Sequence, residues 1–175
     1  MGAHVELLDD PTRDDVEATL RQLDPALAGL IRQGSPDRLR SFAVACARLA
    51  LEITGVREPL LSTALDVALT NLAGDLQRTN ELAALRDAVG DLVERMDDRA
   101  FRVQEESEAT GGPSARQDDY LQAFRAARAA ASCLACLYIS PLAAAAEATY
   151  EAFHTIDETQ ANEALRAIAR REFGT

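Results

Sequence analysis

Apolar residues in this chain recur at steps of three and four positions, which is the period of an amphipathic helix. The clearest stripe runs from Leu60 to Leu72, and another runs from Leu39 to Ile53. The alternation of apolar and polar residues that is typical of a strand is missing along the chain. The pattern therefore predicts a chain that is built from helices alone.

Three dipeptides mark helix starts, because each places a capping side chain before a proline at the first helical position. They are Asp10-Pro11, Asp24-Pro25 and Ser35-Pro36, and the glycines at 34 and 55 suit helix ends. We expect helices near 11–23, 25–33 and 36–54, followed by a fourth that ends near Gly74.

A long helix is expected from about residue 80 to residue 108, with Thr79 as its N-cap. Its apolar seam has near-heptad spacing and comprises Leu82, Leu85, Val89, Leu92, Met96, Ala100 and Val103. The Gly- and Pro-containing segment 110–114 ends this helix. Three further helices are expected near 115–138, from Pro141 to about His154, and near 158–173, with Leu121 on the inward side of the first.

These elements predict an all-α bundle of about seven or eight helices without a sheet. The long helix through Leu92 and the Ala-rich helix through Leu134 should pack in its core. The length of 175 residues fits one domain. We expect an N-terminal tail at residues 1–10 and a single all-α domain at 11–175.

The charge balance excludes several classes of partner. The formal net charge is −11, and the densest cationic pair is Arg170-Arg171, so we expect no nucleic-acid partner. Residues 129–146 are uncharged, but Pro141 interrupts them, which favours a buried helix and a turn over a membrane span. Residues 1–10 lack the apolar segment of a signal peptide, and an odd number of cysteines in Ala- and Leu-rich stretches is typical of reduced thiols. These observations predict a cytoplasmic protein.

Two groups of residues have side chains that could bind a metal or take part in catalysis. Cys133-x-x-Cys136 lies within a helix, and neither Cys46 nor His154 has the spacing to complete a zinc site, so we interpret these thiols as core residues without metal. The second group shares a predicted helix face and comprises Glu147, Glu151, His154 and Glu158. It could bind a metal or move a proton, or it could be a solvated face, and the sequence leaves both interpretations open.

Catalytic motifs are missing from the sequence. A diiron bundle needs Glu-x-x-His on two helices, and only Glu151-x-x-His154 occurs. There is no Gly-rich phosphate loop, and no nucleophile can be matched to a base. We therefore expect a protein that is not an enzyme and that has no cofactor.

The long helix has an acidic side opposite its apolar seam. Five of its carboxylates are predicted to bind a partner, and they are Asp87, Asp91, Glu94, Asp98 and Glu105. Arg86, Arg95 and Arg102 would offset part of their mutual repulsion. Charge complementarity favours a basic protein as the partner, and the alternative is a surface that is merely solvated.

One series of segments resembles a known family. In chain order, the segments are Leu39–Arg48 at the start of a helix, Ala64–Ala68 in a second helix, then Leu72–Leu76 and Glu81–Leu85, and finally Ala126–Ala131 in an Ala-rich helix. This order resembles the Ala-rich, all-helical immunity proteins of bacterial polymorphic toxin systems, over roughly residues 37–172. The resemblance implies a cytoplasmic bacterial protein that neutralises a toxin by binding it. The alternative is a helical scaffold or regulatory module that self-associates as a homo-oligomer or binds a small molecule.

Overall fold

The computed structural model describes residues 10–72, 75–110 and 115–174. These residues form eight α-helices and no strand, so the predicted all-α bundle is confirmed. The helices are α1 (Arg13–Gln22), α2 (Pro25–Gln33), α3 (Pro36–Thr54), α4 (Pro59–Thr70), α5 (Asn80–Thr110), α6 (Ala115–Ala135), α7 (Pro141–Phe153) and α8 (Glu158–Phe173). The predicted tail up to residue 9, the predicted helix end at Gly74 and the linker residues 111–114 lie outside the described residues.

Local capping chemistry sets most helix starts. The Asp24 side chain accepts hydrogen bonds from the backbone N–H groups of Ala26 and Leu27, as predicted. The Thr79 hydroxyl accepts one from the backbone of Leu82. Ser35 is the N-cap of α3, but its hydroxyl donates to Asp37 and does not bond the helix backbone.

The prediction that Asp10 caps the first helix is wrong. Helix α1 starts two residues later, where Thr12 and Asp15 form a reciprocal capping box. Each of these side chains satisfies one orphan N–H group of the helix start, so the helix needs no cap from Asp10. The Asp10 carboxylate is thereby available for a tertiary contact.

Helices α3 and α7 form the centre of the bundle. Their residues contribute to both hydrophobic clusters of the core, one shared with α1, α2, α6 and α8 and the other with α4, α5 and α6. The run Ala143–Ala146 is buried, and small side chains of this kind let neighbouring helices approach closely. Among the helices of the described residues, none is both long and apolar enough to cross a membrane.

Helix α5 packs along α6 and touches α4. Arg86 lies over the Tyr138 ring and Arg128 bonds Asp97, so the two helices run antiparallel. The α5 seam faces inward at Leu82, Val89 and Leu92, as predicted. The long helix therefore presents its opposite side to solvent.

The predicted packing is wrong at two residues, and the two glycines predicted at helix ends differ in conformation. Ile53 and Leu121, which were expected to face inward, are exposed. Gly55 ends α3 in the left-handed conformation (φ 71°), as a helix-terminating glycine does. Gly34 ends α2 in an extended conformation, which does not require a glycine. Its lack of a side chain is required by packing, because a Cβ at this position would lie 2.8 Å from side-chain atoms of Leu39 and Phe173.

Candidate protein-binding face on the long helix

The acidic face of α5 consists of Asp87, Asp91, Glu94, Asp98 and Glu105, and all five side chains are exposed. None of them forms an ion pair or a side-chain hydrogen bond with another residue in the described parts of the chain. Their exposure follows from the helix period, because they lie about half a turn away from the buried seam. The structure thus gathers the five predicted residues on one solvated surface.

Carboxylates on other elements are more often paired with arginine. Such pairs join Glu17 to Arg32, Asp157 to Arg125, Asp24 to Arg166 and Glu172 to Arg171. Hydrogen bonds to Arg32 and Arg166 lower the pKa values of Glu17 and Asp24. The five carboxylates of the acidic face have no arginine partner of this kind among the described residues.

The arginines that were expected to offset this charge do so less than predicted. Arg86 is buried and bonds Asp10, so it does not belong to the outer surface. Arg95 and Arg102 are exposed, but neither forms an ion pair among the described residues, and the Arg102 Nε donates to the backbone carbonyl of Asp98. In the described parts of the chain, no carboxylate side chain of the face is therefore neutralised by an arginine through an ion pair.

An exposed aromatic residue, Phe101, lies beside the acidic face. It is 59% exposed, the largest value among the large hydrophobic residues of the described chain. It follows Asp98 by three positions and precedes Glu105 by four, so it is a direct neighbour of both on the helix surface. Phe101 was not among the residues predicted for this face, although an aromatic side chain outside the apolar seam was the available signal.

Arg128 holds one edge of this face in place. Its guanidinium donates to Asp97 on α5 (2.6 Å) and to Glu151 on α7 (3.0 Å), and it lies 5.5 Å from the Phe124 ring centre. Burial raises the pKa of Glu151, and the charge of Arg128 opposes that shift. These contacts tie α5 to α7 through α6 and fix the orientation of the acidic face.

The group Glu147, Glu151, His154 and Glu158 is not brought together as one site. Glu147 accepts a hydrogen bond from the Thr19 hydroxyl (2.6 Å), and Glu151 is paired with Arg128. His154 is the C-cap of α7, whereas Glu158 belongs to the first turn of α8. Burial lowers the pKa of His154 and raises that of Glu147.

The cysteines are core residues, as their burial shows. Cys46, Cys133 and Cys136 are fully buried, and burial raises the pKa values of Cys46 and Cys133 to about 12. The Cys136 thiol donates to the backbone carbonyl of Ser132. No group of three or more potential metal-binding residues occurs within the described ranges.

A buried polar cluster surrounds the turn between α6 and α7. Asp10 accepts hydrogen bonds from the backbone N–H groups of Ile139 (3.0 Å) and Ser140 (2.8 Å), and from Arg86 (3.2 Å). Arg40 on α3 is completely buried and donates to carbonyl groups of the same turn. This cluster, which was not predicted from the sequence, satisfies backbone groups and fixes the turn.

The fold and this surface define an all-α protein that presents an unpaired acidic helix face to solvent. No family model matches the chain, and neither a curated protein nor a solved structure matches it. The resemblance to immunity proteins accordingly stays a prediction from the sequence.

Proposed function

We propose that this chain is a non-enzymatic binding protein whose acidic face captures a basic protein partner. One observation carries the proposal: five exposed carboxylates without ion pairs share a helix face with the exposed Phe101. Aromatic residues are enriched at protein interfaces, and an apolar anchor beside complementary charge is a common arrangement there.

The charge pattern indicates how such a partner would be recognised. Exposed charges contribute mainly to the rate of association, because they attract an oppositely charged surface over distances of about 10 Å at 0.1 M salt. The partner should therefore present clustered arginine or lysine residues. Phe101 would supply contact area once the two surfaces meet.

The most specific form of this function is that of a cytoplasmic bacterial immunity protein. Its support is the resemblance of the helical segments within residues 37–172, together with the negative charge. A toxin that cleaves nucleic acid needs cations to hold a phosphate backbone, and an acidic helix can cover such a surface.

The experiment reverses three central charges of the face. The variant Asp91→Arg/Glu94→Arg/Asp98→Arg should associate with the purified partner at least about tenfold more slowly and with a weaker salt dependence. A matched control reverses Glu52, Asp66 and Glu163, which are exposed and unpaired in the described structure, and it changes the net charge equally. The control should retain most of the association rate.

The partner is first isolated by affinity capture from the native host, and association is then followed by stopped-flow fluorescence. Protection of cells that express the captured protein as a toxin tests the immunity role separately. Equal association rates for the triple variant and the natural protein, with circular dichroism showing that both are folded, would refute the role of the acidic face.

A further inference from the structure

A large open groove lies on the side of α5 away from the acidic face. It has a volume of about 930 Å³ and is bounded by α5, α6 and the connection between α3 and α4. Its apolar lining includes Val56, Met96, Val103, Ala123 and Ala126. Along α5 it extends from Met96 to Ala109, which corresponds to about 20 Å at 1.5 Å per residue.

Charges of both signs surround this groove. Arg57 and Arg99 line it together with Glu58 and Asp119, and none of these four forms an ion pair in the described parts of the chain. This mixture differs from the acidic face, which carries one sign. A surface with unpaired charges of both signs can be complementary to itself.

Exposed apolar side chains lie next to the groove. Ile53 (44% exposed) and Leu121 (37% exposed) line a smaller hollow that shares Thr54 and Gln122 with it. Single exposed hydrophobic residues are ordinary, but two that share one hollow place exposed apolar area next to the apolar lining of the groove. They are the only large hydrophobic residues, besides Phe101, that are exposed within residues 10–72, 75–110 and 115–174.

From this geometry we infer that the groove face binds a second copy of this chain in a two-fold symmetric dimer. In such an interface the same patch meets itself, so charges of both signs can pair across the two-fold axis. Ile53 and Leu121 provide exposed apolar contact area beside the groove, and the arginines of one copy meet the carboxylates of the other. The single-signed acidic face would repel itself and stays exposed on the outside of the dimer.

The first test measures the mass of the full chain by sedimentation velocity over a range of concentrations. The natural chain should be dimeric at micromolar concentrations, and Ile53→Arg/Leu121→Arg should weaken dimerisation by at least about tenfold. The control Ala26→Arg/Ala167→Arg adds the same charge at exposed positions away from the groove and should remain dimeric. A natural chain that is monomeric up to about 100 µM would overturn the inference.

A charge exchange gives a second test that does not depend on one variant. Arg57→Glu/Arg99→Glu and Glu58→Arg/Asp119→Arg should each dimerise poorly alone, because like charges then face each other. When the two are mixed, they should form a heterodimer of the natural mass. If the two variants are folded by circular dichroism but do not associate when mixed, the proposed pairing is contradicted. An Ile53→Arg/Leu121→Arg variant that dimerises normally contradicts it as well.

Discussion

Replacing Arg40 by methionine tests the physical account of the buried turn. Arg40 lies on α3 and is completely buried, and burial lowers the pKa of its guanidinium. It donates to the carbonyl oxygens of Cys136 (3.2 Å), Tyr138 (3.0 Å) and Ile139 (2.8 Å). Methionine fills a similar volume without donating a hydrogen bond, so the variant removes these bonds and keeps most of the packing.

The expected loss follows from the partners that remain. The Ile139 carbonyl keeps a second donor, the backbone N–H of Leu76, at 3.2 Å. The carbonyls of Cys136 and Tyr138 have no other donor in the described residues. A hydrogen bond to a charged group contributes about 1.5–3 kcal/mol, so two lost bonds cost about 3–6 kcal/mol. The apolar methionine recovers about 1–2 kcal/mol through burial, which leaves a net loss of about 3 kcal/mol.

Urea denaturation followed by helical circular dichroism measures this loss. With a slope of about 2 kcal/mol per molar urea, Arg40→Met should lower the midpoint by about 1.5 M. Arg48→Met lies on the same helix at an exposed position and should change stability by less than about 0.5 kcal/mol. A loss below about 1 kcal/mol for Arg40→Met would refute the argument that this guanidinium satisfies the turn.

Four other predictions rest on the space around two glycines and on the burial of Glu147 and the thiols. Gly34→Ala should destabilise the fold by about 1–3 kcal/mol through overpacking. Gly29→Ala, where a new Cβ meets nothing within 4 Å, should raise the midpoint of thermal unfolding. Because burial raises the pKa of Glu147, ionisation destabilises the folded state, and this cost grows as the pH rises above 4.5, the ordinary pKa of the group. The variant Glu147→Gln keeps an acceptor for the Thr19 hydroxyl. The free energy of unfolding of the variant, minus that of the natural chain, should therefore increase from about pH 4 to about pH 7. A difference that does not change with pH would contradict this sign. The buried thiols, with the pKa of Cys46 raised to about 12, should react with a disulfide reagent only after denaturation.

The helices could be predicted from the sequence because the signals that set them are local. Proline after a capping residue marked α2 and α3, and the three- and four-residue steps gave the inward face of α4 and α5. Asp10 shows where local reasoning ends. Asp10 followed by a proline has the pattern of a helix start. Its carboxylate nevertheless accepts hydrogen bonds from backbone N–H groups more than a hundred residues away. A pairing of this kind depends on the tertiary fold and leaves no local pattern.

The acidic face was predictable for the same reason, since the helix period places its residues opposite the seam. The groove was not, because it depends on how the α3–α4 connection lies against α5 and α6. Helix period alone assigned Ile53 and Leu121 to the core, and only the arrangement of neighbouring helices leaves them exposed. The two candidate surfaces thus differ in origin: one follows from a single helix and the other from the packing of several.

The acidic face lowers the stability of the helix that carries it. Asp87 and Asp91, Asp91 and Glu94, and Glu94 and Asp98 are like-charged neighbours three or four positions apart. At about 0.2–0.5 kcal/mol each, such pairs cost about 1 kcal/mol in total. Arg95 and Arg102 follow Asp91 and Asp98 by four positions and offset part of this cost, although neither forms an ion pair among the described residues. Proteins depart from locally favourable choices mainly at functional sites. A row of repelling carboxylates beside an exposed phenylalanine is such a departure, and the attraction of an oppositely charged partner would offset the repulsion.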